Sequence, residues 1–160
     1  MGVKELKQNY LIDDNTKVLG AGSFGKVFLT HNKKKQNFQV AIKVLNKKKL
    51  ADMLDAIKDE VAILTQIDHP NIVKYYETYD DEKYMYLVME YIGGGELFDK
   101  LQASADNTFT ENVARDYMKK LLQACAHIHS QHIVHRDIKP ENIMLGSDGQ
   151  IKLIDFGLSK

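Results

Sequence analysis

Three consecutive glycines, Gly93-Gly94-Gly95, constrain the fold most, because the hydrophobic period of the chain changes across them. Before them, β-rich stretches predict strands over 10–19, 27–30, 38–45, 72–79 and 84–90. One helical stretch interrupts these strands. Leu50, Met53, Leu54, Ile57, Val61 and Leu64 recur at three- and four-residue spacings, and Asp68-His69-Pro70-Asn71 closes that helix. After the glycines the chain turns helical. A short segment covers 96–102, then Thr110 reads as an N-cap with Glu111 in the first turn. The helix that follows extends to about Ser130, with Val113, Tyr117, Leu121, Cys125 and Ile128 as its inward stripe. The expected fold class is α+β: a five-stranded antiparallel sheet with one helix, a glycine hinge, and a partial, mainly helical part. The expected divisions are an N-terminal extension at 1–9, a first lobe at 10–92 and a second at 93–160.

Composition narrows the function. The chain has 160 residues, 44% hydrophobic and 28% charged, which suits a globular protein with a core. Lys plus Arg and Asp plus Glu are both 22, so there is no electrostatic footprint for general nucleic-acid binding. The runs Lys33-Lys34-Lys35 and Lys47-Lys48-Lys49 read as solvated turns. No apolar run reaches the ~20 residues of a membrane span, and the first residues lack the apolar core of a signal peptide. Gly2 invites N-acylation, but Leu6 stands where that motif wants Ser or Thr. The one cysteine, Cys125, allows no internal disulfide and suits a reducing, cytoplasmic setting.

Gly20-Ala21-Gly22-Ser23-Phe24-Gly25 matches a glycine-rich phosphate-binding pattern. Lys26 to Thr30 continues as a strand and not as a helix, so the loop is a hairpin and differs from the dinucleotide-binding type. Its glycines would let the backbone approach phosphate oxygens; a plain tight turn is the other reading. In Val40-Ala41-Ile42-Lys43, an ammonium sits within an apolar strand. Glu60 falls on the apolar face of the helix at 50–67. Each buried charge needs a partner, and pairing Lys43 with Glu60 would satisfy both; the alternative is that both side chains snorkel to water.

The most informative segment is His135-Arg136-Asp137-Ile138-Lys139-Pro140-Glu141-Asn142, followed by a ribbon and Asp155-Phe156-Gly157. Asp148-Gly149 signals a two-residue hairpin. Counting outward from it places Met144 opposite Leu153 and Asn142 opposite Asp155. An amide oxygen beside a carboxylate suits Mg²⁺, which takes few protein oxygens together with substrate phosphates. Asp137 lies close by to accept or orient a hydroxyl proton, and Lys139 adds positive charge. Phosphoryl transfer needs this kind of positioning and charge stabilisation.

These motifs in series resemble the eukaryotic protein kinases, over roughly residues 10–160. The resemblance implies that Asp137 is the catalytic base, that Asn142 and Asp155 bind Mg²⁺, and that Lys43, paired to Glu60, contacts the phosphates of ATP. It further implies that Leu19, Val27, Ala41 and Met144 sandwich adenine and that Met89 is the gatekeeper. The backbones of Glu90 and Ile92 would bond adenine. Glu96 would reach the ribose and, with Glu141, a basic residue of a protein substrate. Lys139 resembles the serine/threonine kinases, so the implied partners are proteins with Ser or Thr near basic residues. The runs 88–101 and 68–73 are similar to the calcium/calmodulin-dependent and calcium-dependent kinases. No EF-hand loop or calmodulin-binding helix is encoded here, so calcium or calmodulin control is not expected from this chain.

The sequence ends three residues after Gly157. Relative to the family it therefore reads as truncated, without an activation segment, and poor stability or self-association is expected. A non-catalytic, kinase-like nucleotide-binding or regulatory module is the alternative function. His127, His129, His132 and His135 cluster in sequence, but their spacing does not suit a tetrahedral zinc site.

Overall fold

A computed structural model describes residues 2–13, 15–22, 25–35, 37–50 and 54–156, except for the side chains at 54, 56 and 60. By compactness, residues 1–55 with 75–91 form one unit, and residues 56–74 with 92–160 form the other.

The first unit is built on an antiparallel sheet of β1 (Val18–Gly22), β2 (Gly25–His31), β3 (Gln39–Asn46), β4 (Tyr75–Asp80) and β5 (Tyr84–Glu90). Their order is β1-β2-β3-β5-β4. Strand alternation divides β3 between two faces. Val40, Ile42 and Val44 face one side, Ala41, Lys43 and Leu45 the other. The first of these faces carries a core of Leu6, Tyr10, Val40, Ile42, Tyr79 and Val88. Leu6 belongs to α1 (Val3–Asn9), a helix inside the expected N-terminal extension. Polar ties hold this segment to the sheet. Asn9 Nδ2 donates to the Tyr79 hydroxyl at 2.8 Å, the Tyr10 hydroxyl donates to Glu77, and Lys33 Nζ donates to the Lys7 carbonyl at 2.6 Å.

The first strand begins later than the sequence predicts. Asp13 Oδ1 accepts the Asn15 amide N–H at 2.9 Å, and the Asp13 carbonyl accepts that of Thr16 at 3.1 Å. This local side-chain turn competes with the ladder, so pairing resumes only at Val18. The predicted strand at 72–79 is also divided. The Val73 amide donates to the Leu153 carbonyl and the Leu153 amide to the Asn71 carbonyl, at 3.0 and 2.8 Å. Residues 71–73 thus pair within the second unit, and β4 starts at Tyr75.

The second unit contains α2 (Leu54–Leu64, from Ala56 onward), α3 (Leu97–Gln102), α4 (Glu111–Ser130) and a ribbon of β6 (Ile143–Leu145) and β7 (Ile151–Leu153). Thr110 is the N-cap of α4 by position, with no side-chain capping bond. The predicted inward stripe of α4 holds only in part. Ala124 and Ile128 are fully buried, Tyr117, Leu121 and Cys125 are half-buried, and Val113 is 38% exposed. The C-terminal half of α4 packs on β7, so its burial is concentrated there. Gly94 lies against β6. Its amide donates to the Leu145 carbonyl at 2.7 Å, and a Cβ there would approach that oxygen to 2.4 Å. The glycine run therefore lets the chain hug the ribbon. Among the described residues, no helix is long and apolar enough to cross a membrane.

Candidate active site

In the first unit, β1 and β2 pair antiparallel with Gly22 opposite Gly25, a hairpin as the sequence suggests. Its tip, Ser23-Phe24, lies outside the described residues. Register breaks between Val18 and Gly20, so Leu19 occupies a bulge. Gly25 has a steric role. A Cβ there would lie 1.8 Å from the Val44 carbonyl oxygen, whereas one at Gly20 would meet nothing within 4 Å. On the face opposite the α1 core, Lys43 pairs directly with Val27 on one side and Leu87 on the other. Ala41 pairs with Leu29 and Met89. Val27, Ala41, Lys43 and Met89 thus share one face of the sheet. Lys43 is half-buried there. The expected Lys43–Glu60 pair rests on the Glu60 side chain, which lies outside the described residues.

In the second unit, the loop 135–142 is tied at both ends to the ribbon. His135 is fully buried. Its Nδ1 accepts the Asp137 amide N–H at 3.3 Å, so its proton sits on Nε2, which donates to the Ile154 carbonyl at 3.0 Å. Its ring meets the buried Phe156 edge-on, with centroids 4.7 Å apart. Arg136 and Asp155 both adopt left-handed backbone, φ 65° and 60°, a strained conformation for non-glycine residues. The loop and the Asp155 corner are therefore fixed together through His135.

Asp137 is gripped by two donors. Lys139 Nζ and Asn142 Nδ2 each lie 2.8 Å from its Oδ2. The Lys139 hydrogen bond, followed by that of Asn142, holds the Asp137 carboxyl below the ordinary carboxylate range; in return Asp137 raises Lys139. Asn142 Nδ2 also donates to the Asp137 carbonyl, at 2.9 Å. Two oxygens facing one end of the Asn142 amide identify that end as the nitrogen. The opposite end is then an oxygen, the donor a hard cation requires.

The ribbon register corrects the sequence reading. Ile143 pairs with Leu153, Met144 with Lys152 and Leu145 with Ile151, so Asn142 stands opposite Ile154 and not Asp155. The Ile154 amide donates to the Asn142 carbonyl at 2.9 Å. The cause is the turn. Gly149 adopts φ +76°, and the Gly149 and Gly146 amides donate to the carbonyls of Gly146 and Gln150, closing a three-residue loop where two residues were expected. A one-residue slip turns side chains to opposite faces. Asp155 follows the ribbon in left-handed backbone and is exposed. The exposed Asp155 carboxylate and the amide oxygen of Asn142, a residue only 6% exposed, are donor types that suit a magnesium ion. Glu96 and Met144 are brought side by side by an antiparallel bridge. Ile92 is buried, and Glu141 is exposed in the turn Pro140–Asn142. Gly157 lies outside the described residues.

Two supports were not legible as such. Asn71 Nδ2 donates to the Ile151 carbonyl at 2.9 Å, anchoring β7 from a residue that read only as part of a helix stop. His135 read as a motif letter without an assigned role. The other histidines disperse: His127 faces His69 with ring centroids 5.1 Å apart. Among the described residues, no three His, Cys, Asp or Glu side chains converge on a metal position.

The family model for the protein kinase domain matches residues 14–160. The chain belongs to the protein kinase domain family. It is 44% identical over 152 residues to the probable serine/threonine-protein kinase MARK-A of Dictyostelium discoideum, covering 94% of this chain and 14% of that protein. It is 39% identical over 158 residues to calcium/calmodulin-dependent protein kinase type 1 of Macrobrachium nipponense, covering 97% of this chain and 44% of that protein. It is also 44% identical over 145 residues to CBL-interacting serine/threonine-protein kinase 12 of Arabidopsis thaliana, covering 89% and 29%. The chain thus spans less than half the length of each of these relatives.

Proposed function

We propose that this chain carries the ATP-handling and catalytic-loop parts of a serine/threonine protein kinase. The observation that carries this reading is the grip on Asp137. An ionised carboxylate held by Lys139 and Asn142 is preset to orient a hydroxyl and receive its proton. Magnesium, when bound, neutralises phosphate charge; Asn142 and Asp155 would hold it. Lys43 and the Gly20–Gly25 hairpin would orient the phosphates, with Glu60 as the partner of Lys43. Leu19, Val27, Ala41, Met89 and Met144 would enclose adenine, with the backbones of Glu90 and Ile92 bonding it. Glu96 and Glu141 would meet ribose and a basic residue of the protein substrate. Lys139 would balance charge beside Asp137 during transfer. A reducing, cytoplasmic setting belongs to the same proposal, supported by the sequence's single cysteine, Cys125. The lobe division at 92/93 is likewise proposed.

The exposed Met118 and Leu122 on α4 favour a second reading, a module that binds nucleotide and acts through contacts. Transfer of ³²P from ATP to matched Ser, Thr and Tyr peptides with basic flanks separates the two. Labelling of Ser and Thr peptides but not Tyr supports the first. Thermal stabilisation by Mg·ATP without labelling supports the second.

A further inference from the structure

We propose that the outer face of the sheet is a docking site for an acidic peptide segment that carries one large apolar side chain. The strand pairing fixes which residues share this face. Ala21 pairs with Lys26, Lys26 with Val44, and Asn46 with Tyr84. All of these, together with Phe28, lie on the side of the sheet that holds Val40 and Ile42. The chain's own α1 and Tyr10 cover only one end of that face, the end of Val40, Ile42, Tyr79 and Val88. The other end is open and forms a cavity of about 370 Å³, with Phe28, Val44 and Tyr84 as its apolar wall and Lys26, Asn46 and Lys49 as its polar one. That volume lies at the small end of ligand pockets and suits a single large side chain.

The charge of the rim selects the occupant. Lys26 and Lys49 line the cavity, and among the described residues no carboxylate does. The turn that presents Lys49 is fixed, because Asn46 Oδ1 accepts the backbone N–H groups of Lys48 and Lys49 at 3.0 and 3.4 Å. Its amide nitrogen is left as a donor. The neighbouring Lys47 is committed elsewhere, to Asp80 and to the Asp81 carbonyl. An aromatic plug flanked by carboxylates would satisfy both walls, with the apolar part supplying burial and the lysines supplying orientation and rate of encounter. The side chains on β3 and β5 proposed to handle ATP occupy the opposite face, and the site shares with the ATP-handling residues only Ala21 and Gly25 of the glycine hairpin.

The test is fluorescence anisotropy of the full chain with a fluorescein-labelled peptide, Asp-Glu-Asp-Phe-Asp-Glu. Saturable binding is expected, weakened at least about tenfold by Lys26→Glu/Lys49→Glu and by roughly 0.5 M salt. A peptide with Ala in place of Phe should bind at least about tenfold more weakly, which pure charge attraction would not produce. The control Lys34→Glu/Lys35→Glu should bind like the unaltered chain. Absence of binding, equal binding by all variants, or indifference to the Phe would overturn the proposal. Binding instead to phosphatidylserine vesicles, lost on the same Lys26/Lys49 change, would assign the face to a membrane surface and overturn it too.

Discussion

The same substitution placed at two glycines of one hairpin should have opposite effects. At Gly25, a Cβ would stand 1.8 Å from the Val44 carbonyl oxygen and 2.9 Å from its carbon. Real contacts do not fall below 3.0 Å, so β2 and β3 must part by 3.0 minus 1.8, or 1.2 Å, at a directly paired position, Gly25 opposite Leu45. Overpacking of this kind costs about 1–3 kcal/mol, and a ladder bond lost with it adds about 1 kcal/mol. For a chain of this length, each kcal/mol moves Tm by roughly 2–4 °C, so Gly25→Ala should lower Tm by roughly 4–16 °C. At Gly20 nothing lies within 4 Å and the backbone is not left-handed, so Ala fits. Gly20→Ala should leave Tm unchanged or raise it, through about 0.4–1 kcal/mol of lost unfolded-state entropy. Its effect should appear instead in weaker Mg·ATP binding, because the proposed role of Gly20 is close approach to phosphate. Thermal unfolding followed by circular dichroism, with and without Mg·ATP, reads both. Equal Tm values for Gly25→Ala and the unaltered chain would refute the packing argument. A large drop for Gly20→Ala would show that both glycines serve the turn alone.

Four further outcomes are expected. Lys139→Met removes the strongest cause of the lowered Asp137 carboxyl, so ¹³C NMR of that carboxylate should titrate at higher pH than in the unaltered chain. The sign fixes the stability effect: the folded value lies below the ordinary one, so stability from these bonds is present above the ordinary carboxylate range and is lost as pH falls through the folded value. Asn71→Ala leaves the Ile151 carbonyl without its 2.9 Å donor in a site where Asn71 is 6% exposed, and should cost about 1–3 kcal/mol in urea unfolding. Met118→Lys/Leu122→Lys replaces two apolar side chains that are 55% and 60% exposed, and should shift sedimentation velocity toward the monomer.

Much of this architecture could be read from the chain because its signals are local. Tyr84–Glu90 is a continuous run of apolar and aromatic residues closed by Glu90 and is a strand, and the end of α4 at Ser130 follows its apolar spacing. What escaped depends on contacts distant in sequence or on one backbone torsion. α1 spans seven residues with a single buried one, Leu6, too few turns to show a period. The ribbon slipped by one because Asp148-Gly149 looks like a two-residue turn, whereas Gly149 in the left-handed region closes a three-residue one. That slip moved Asn142 away from the position opposite Asp155. Asn71 anchors a strand 80 residues later, which no periodicity can signal. The grip of Lys139 and Asn142 on Asp137 lies within one loop, and there the spacing did announce that the three residues belong together.

The most direct test is single-turnover transfer of ³²P from Mg·ATP to a basic Ser peptide, run in parallel with Mg·ATP binding for the unaltered chain and for Asp137→Asn. The account predicts that Asp137→Asn binds Mg·ATP as tightly and transfers at least about a hundredfold more slowly. Transfer by Asp137→Asn at the unaltered rate, or loss of Mg·ATP binding with it, would contradict the role assigned to Asp137.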